Sequence, residues 1–434
     1  MVRQPGRRVA LALTAAALAF IAFMTLGQVE EGRAFPASCI FCGQLGGVDF
    51  TLNVVLFVPF GLGLMWLTGN WRRSTVIGAV TTLFIETLQW RLIPGRDASL
   101  GDLLANSIGT VIGAWLAVAG IRWLNATRMD ARRLAAVAST LTVAAVAVSA
   151  WLLLPTQTRM QQWVQWTPRR RALDVFQGRL QAVSLNGIET RPTEILEASR
   201  TLDMETRVLS VRAKVRGPVP PTRRRAIVVR IANEREEGFY LAQWRESVVF
   251  RAHLTAARLK LRPLLVRLDS AFSSSATGTN DESNQLTIEA VSSPRAILVR
   301  RESGAGGTTL TTLHRTIGLA WALFLPWDIA LSPSWWTANA GWLAVLILPV
   351  SFFSIRAARR PPEEPVSIVS WWSMVIVVAS LAGIPVAMGL SSLGPGEWAG
   401  VALGIVGALM IERWSAARGH SDLNVPPPVG TIRA

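Results

Sequence analysis

The sequence predicts an α-helical polytopic membrane protein of about eight spans, with nine as the alternative, carrying an inserted extracytoplasmic all-β sandwich. Three observations predict it. Half of the 434 residues are hydrophobic and only 17% are charged, a balance found in membrane proteins more than soluble ones. Apolar stretches near the roughly 20 residues needed to cross a bilayer lie toward both ends of the chain. Between them, residues 155–313 lack any such stretch and alternate with period two.

The first apolar run is 9–26, behind Arg3, Arg7 and Arg8. A basic start and an apolar run also describe a signal peptide, but LGQVEEGRAF after it lacks a small-x-small cleavage site. An uncleaved span with its N-terminus inside is the preferred reading. Further spans are expected at about 50–68, 75–90, 103–121 and 134–154. The loop at Trp71-Arg72-Arg73 and the stretch from Arg122 to Arg133 are basic, so the positive-inside rule makes both cytoplasmic. Alternation then puts 27–49, 91–102 and everything after 154 outside.

Within 155–313 the segments LSVRAKVR, RAIVVRIA, GFYLAQW, SVVFRAHL, PLLVRLD, NQLTIEAV and RAILVRRE are separated by turn residues. Such patterning reads as antiparallel β-structure, as a sandwich or jelly roll. Their order and spacing resemble a concanavalin-like or laminin-G-like lectin sandwich. The region has 25 Lys and Arg against 15 Asp and Glu, which suits a module near anionic headgroups or cell-wall polyanions, and equally a solvated surface. The loop TGTNDESN at 277–284 reads as solvated. After 313, spans are expected at about 339–356, 368–391 and 398–414. The segment 316–331 is apolar but short and broken by Pro326-Trp327-Asp328. Eight spans require it not to cross, which leaves RAARR at 356–360 inside. The division expected is 1–154 as a five-span membrane domain, 155–313 as the β-sandwich, 314–418 as a membrane domain of three or four spans, and 419–434 as a disordered tail. ASLGDLLANSIGTVIGA at 98–114 also echoes SSLGPGEWAGVALGIVGA at 391–408, with Asp102 against Glu397 and Gly109 against Gly404. Shared small-residue composition explains the echo as well as a repeat does.

The chemistry-bearing residues concentrate in 49–113. Asp49 and Asn53 share a helix face, as do Glu86 and Gln89, while Asp102, Asn106, Gly109 and Gly113 form one stripe. Ionisable groups within spans are costly and face a protein interior or a wet cavity. Asp49, Asn53, Glu86, Gln89 and Asp102 all fall in the outer part of their spans, and Arg96 sits in the outer loop between two of them. One polar pocket opening at the outer surface is expected. Interhelical hydrogen-bonding glue is the competing reading. Gly109 and Gly113 are expected to permit close helix packing.

DFTLNVVLFVPFGLGL, IETLQW and PGRDASLGDLLANSIGTVIGA together resemble the VanZ-like family pattern. In that pattern an N-x-x-L-F-x-P-x-G span precedes an E-x-x-Q span, an Arg-containing loop and a D-x-x-x-N-x-x-G-x-x-x-G span. The resemblance covers about the first third of the chain. It implies a cell-envelope function connected with glycopeptide-antibiotic susceptibility, without naming a mechanism.

Cys39 and Cys42, the only cysteines, form C-x-x-C in a loop expected outside, where thiols oxidise. A local disulfide is the first choice and redox chemistry a distant second. The scattered His253, His314 and His420 offer zinc no ligand set, so neither a metal nor another cofactor is expected. HExxH, GxSxG, P-loop and nucleic-acid motifs are absent from the sequence. The partners expected are membrane lipids and a cell-wall glycan or lipid-linked precursor, at a bacterial cytoplasmic (inner) membrane. The leading functional reading is outer-leaflet binding of a lipid- or sugar-linked ligand. The alternatives are an enzyme on polyprenyl-linked glycans, with Glu86 or Asp102 as acid/base and Arg96 on phosphate, and a small-solute transporter. The catalytic residues, if any, remain unassigned.

Overall fold

The computed structural model describes residues 6–26, 36, 38–93, 99–156, 162–170, 173–196, 207–217, 219–233, 237–272, 285–304, 307–358 and 368–421. Five helices precede a β-rich unit: α1 (Arg7–Thr25), α2 (Gly46–Thr68), α3 (Trp71–Leu92), α4 (Leu100–Leu124) and α5 (Arg128–Leu153). Three follow it: α6 (Trp336–Ala358), α7 (Ile368–Ala387) and α8 (Pro395–Ser421). Five of the described helical segments, at α1, α2, α4, α5 and α6, are long and apolar enough to cross a membrane.

The helix starts are written locally. Asn70 caps α3 by accepting from the amides of Arg72 and Arg73, Ser99 caps α4 through the Asp102 amide, and Thr127 caps α5 through that of Asp130. Each cap satisfies an amide the first helical turn leaves without a partner. Gly69, with φ 63°, ends α2 in the left-handed conformation that glycine adopts freely.

The β unit has two sheets. In chain order its strands are β1 (Gln162–Trp166), β2 (Arg179–Leu185), β3 (Ile188–Thr190), β4 (Thr193–Leu196), β5 (Leu209–Arg216), β6 (Arg225–Ala232), β7 (Glu237–Trp244), β8 (Ser247–Arg251), β9 (Leu265–Leu268), β10 (Gln285–Ser292), β11 (Ala296–Ser303), β12 (Thr308–His314) and β13 (Ala330–Leu331). One sheet runs β13-β9-β8-β7-β6-β1-β4 and the other β12-β11-β10-β5-β2-β3. All pairs are antiparallel except β13 with β9. Alternation is plain in β5, where Leu209, Val211, Ala213 and Val215 are buried. It is lost in β6, buried nearly throughout, because Val228 and Ile231 enter the main core while Ile227 packs with Tyr240, Val249 and Leu265 in a separate cluster.

Each of the seven segments read as strands contains one, β5 to β11. The sandwich expectation at 155–313 needs a corrected end. Residues 316–331 form no span-length helix: Ile317–Phe324 is a 3-10 helix, and β13 adds to the sheet edge, so the β unit closes near Leu331. Ile317, Leu319 and Leu323 fill the core there, which accounts for the segment's apolarity. Helix α5, grouped by sequence with the first four, packs instead on α6 and α7, while α1 and α4 pack on α2, and α3 on α4. The expected loop at 277–284 lies outside the described residues. So does the tail from 422, α8 itself running to Ser421.

The β unit sits on one end of the helices. Thr255 donates its amide to the Leu154 carbonyl just beyond α5, at 2.9 Å. Lys260 Nζ donates to the Phe41 carbonyl at 2.6 Å, and the Gly47 amide donates to the Lys260 carbonyl at 3.3 Å. One hydrophobic cluster joins Val48, Val146 and Leu153 of the helices to Leu254, Leu261 and Leu319 of the β unit.

Candidate polar site at the helix ends

Helices α1 to α4 alternate in direction, so the end of α1, the start of α2, the end of α3 and the start of α4 meet at one end, beneath the β unit. The polar residues of α2, α3 and α4 lie there. Asn53 Nδ2 donates to Asp102 Oδ1 at 2.6 Å, joining α2 to α4. Glu86 Oε2 accepts the Ser99 amide at 3.1 Å, joining the end of α3 to the capping residue of α4. Gln89 Nε2 donates to the Thr25 carbonyl at 2.8 Å, joining α3 to the last turn of α1. Glu86, Gln89 and Asn106 are buried at 5%, 5% and 2% exposure, whereas Asp102 is half-buried. The Asn106 Oδ1 and the Thr82 hydroxyl are buried without a hydrogen-bond partner, and such groups are costly to leave unpaired.

Of the expected cluster, Asn53, Glu86, Gln89, Asp102 and Asn106 thus lie on one end of this bundle, with Asp49 in the first turn of α2. Arg96 lies outside the described residues. The hydrogen bonds pair side chains with helix ends as much as with one another. Ser99 and Thr25, through their backbones, are the members that side-chain spacing does not reveal. A helix start favours carboxylate charge through its free amides, which both Asp102 in its first turn and Glu86 at its cap exploit.

The C-x-x-C loop closes over this end. Cys39 and Cys42 are disulfide-bonded, with Cα atoms 5.6 Å apart. The Cys39 carbonyl accepts the Gly101 amide at 3.1 Å, and a Cβ on Gly101 or Gly46 would strike the backbone of Ile40 or Phe41. Below the polar groups the helices touch through glycine: Gly109 and Gly113 of α4 lie on the Val54 and Val58 carbonyls of α2. Among the described residues no group of acidic, histidine or cysteine side chains could hold a metal ion.

The arrangement of a glycine-packed α2–α4 pair, an acidic start to α4 and a glutamate and glutamine near the end of α3 occupies the same stretch as a known family. Residues 7–123 match the VanZ/LLP1 family. The VanZ/LLP1 segment ends with α4, so α5, the β unit and α6–α8 lie beyond it. No curated protein and no solved structure matches the chain.

Proposed function

We propose that this is a multi-pass cell-envelope protein of the bacterial inner membrane. In this reading all eight helices cross the bilayer, the β unit is extracytoplasmic, and the end of α1–α4 beneath it binds a lipid- or sugar-linked ligand at the outer leaflet. The observation that carries it is the opposition of charges along the bundle. Arg7, Arg8, Arg72, Arg73, Arg122, Arg128 and Arg356 lie at helix ends away from the β unit, where the positive-inside rule wants them. Arg356 Nε donates to the Ala126 carbonyl at 2.9 Å, which brings the α6 end beside the α4–α5 turn. Asn53, Glu86, Gln89, Asp102 and Asn106 occupy the other end, where Arg91 in the last turn of α3 is a basic exception, as Asp130 at the start of α5 is an acidic one at the arginine end.

Tryptophans support the same depth. Trp71 and Trp90, both exposed, stand about 28 Å apart along α3 at the ~1.5 Å rise per helical residue. That matches a hydrocarbon core of about 30 Å with aromatic residues at both interfaces. The basic, two-sheet β unit would then contact glycan or anionic headgroups as a lectin-like module does, and the VanZ-like segment favours a link to glycopeptide susceptibility. Polar groups gathered at one end weigh against a transporter, which needs a polar path through the bilayer.

Mass spectrometry of lipids and glycans that copurify with the detergent-solubilised protein tests this reading. A defined species lost on Asp102→Ala, at unchanged abundance, supports it. The same lipid profile in both proteins leaves the cluster as helix glue.

A further inference from the structure

Helices α2 and α6 both have 23 residues. Laid start to start, they place Pro59 on Pro349 and Asp49 on Asn339. Helices α4 and α8, likewise aligned, place Gly101 on Gly396, Asp102 on Glu397 and Gly109 on Gly404. Packing offers a test independent of composition. Gly109 lies on the Val54 carbonyl, and Gly404 lies on the Ala344 carbonyl. Val54 and Ala344 are equivalent under the α2–α6 alignment, so the two helix pairs meet in the same register. Small-residue composition alone does not produce that coincidence. The order also agrees: α1 packs on α2 as α5 does on α6. The β unit is inserted between α5 and α6, where the first half has the connection carrying Cys39 and Cys42.

The halves differ at their acidic ends. Helix α3 packs on α4 and brings Glu86 to the Ser99 amide, whereas α7 packs on α5 and α6. In the second half Glu397 serves its own helix start, Oε2 accepting the Gly394 amide at 2.9 Å, as in a capping box. Its Oε1 accepts from Asn339 Nδ2 at 3.2 Å and from the Thr316 hydroxyl, which comes from the β unit. Gly318 lies against the same oxygen, where a Cβ would collide. Glu397 is 3% exposed, while its counterpart Asp102 is half-buried and accepts from Asn53 through one oxygen.

We propose that α5–α8 is a second copy of the α1–α4 unit, with its acidic site filled from within by the Thr316 hydroxyl, and that Asp102 offers the equivalent carboxylate to a hydroxyl of a glycosylated lipid. The second clause rests on the ligand-binding reading above; the first does not. The internal occupant anchors the β unit to the membrane helices and gives the form of the contact proposed for Asp102.

Two measurements on the full-length protein separate the clauses. In hydrogen–deuterium exchange, Thr316→Val should speed exchange across Ile317–Phe324 about tenfold, the factor one hydrogen bond to a charged group is worth, with β5 and β6 unchanged. Glu397→Gln should give a smaller acceleration in the same segment. Unchanged exchange in both overturns the internal occupant. In phosphatidylcholine nanodiscs containing monoglucosyl diacylglycerol, the wild type should retain the glucolipid over phosphatidylcholine, Asp102→Ala should lose about tenfold of that preference, and Thr316→Val should keep it. Preference surviving Asp102→Ala overturns the hydroxyl assignment. No glucolipid preference in the wild type, while a different lipid copurifies and depends on Asp102, also overturns that assignment but leaves ligand binding standing.

Discussion

Gly109 of α4 and Val54 of α2 are in backbone contact, with the Val54 carbonyl oxygen occupying the place a Cβ on Gly109 would take. Close approach of this kind drives helix association where lipid tails already solvate apolar side chains. Gly109→Val should force the pair apart at a cost of about 1–3 kcal/mol, read as reduced accumulation and a lower melting temperature in detergent. Gly120→Ala, with open space around it, should match the wild type.

The legible parts of this chain are those with one neighbour to satisfy. Strands β5, β10 and β11 are readable because one face of each is apolar, and β6, β8 and β9 because short apolar runs are bounded by turn residues. β12, rich in threonine, and the half-exposed β3 and β4 carry little alternation. Asn53 and Asp102 were readable as helix stripes because the 3.6-residue period fixes which side chains share a face. The hydrogen bonds of Glu86 to the Ser99 amide and of Gln89 to the Thr25 carbonyl were not, because the partners are backbone groups exposed only by where another helix begins or ends. Segment 316–331 is ambiguous in the sequence for a related reason. Its apolarity serves a protein core that sequence alone cannot tell from lipid, and only the pairing of Ala330 and Leu331 with β9 decides the matter.

Asp328 ties that segment down through ion pairs with Arg225 and Arg262. Burial alone would raise its carboxyl, but the two guanidinium groups outweigh burial and hold it below the ordinary aspartate value. A carboxyl whose folded value is depressed contributes stability in full above its unfolded value, and loses it as pH falls through the lower folded one. Thermal unfolding of the wild type should therefore lose an increment on acidification below about pH 4 that Asp328→Asn lacks. At neutral pH the variant should be less stable by roughly 1 kcal/mol, since the carboxylate is 38% exposed and partly screened. Identical pH profiles would show that the pairs contribute nothing.

Reporter fusions check the orientation. Fusions after residues 72, 128 and 360 should read cytoplasmic, and one at 190 external. A cytoplasmic signal at 190 would invert the arrangement and put the Asp102 end inside. An external signal at 360 would contradict eight crossings, since α6 and α7 would then meet on the wrong side.

The disulfide should matter through the helix starts it covers. In intact cells alkylation without reduction should label neither Cys39 nor Cys42, because a bonded pair offers no thiolate. Cys39→Ser with Cys42→Ser should free the loop that lies against Gly46 and Gly101, increasing exchange at the first turns of α2 and α4 without lowering abundance. Rapid labelling of both cysteines in the wild type would refute the oxidised state in cells.

The polar end is best divided by charge and shape. Glu86→Gln keeps an acceptor for the Ser99 amide and a side chain of similar size, so a purely structural Glu86 should tolerate it, with abundance and melting temperature near wild type. Glu86→Ala removes the acceptor from the part-buried Ser99 amide and should cost about 1 kcal/mol or more. Asp102→Asn keeps an oxygen for Asn53 but discards the charge, so it separates the same possibilities at the half-buried group. A ligand held by charge is lost in Asp102→Asn while Asn53 still anchors α2 to α4 and the protein accumulates normally. Arg96→Lys tests the loop between α3 and α4, because lysine keeps the charge but not the planar fork that engages phosphate or carboxylate in two places. If all three conservative variants retain their copurifying lipid and their glycopeptide susceptibility, the end of the bundle is helix glue. Loss in Asp102→Asn and Arg96→Lys together, with Glu86→Gln unaffected, assigns ligand contact to the half-buried carboxylate and the arginine, and leaves Glu86 as the group that holds α3 to the start of α4.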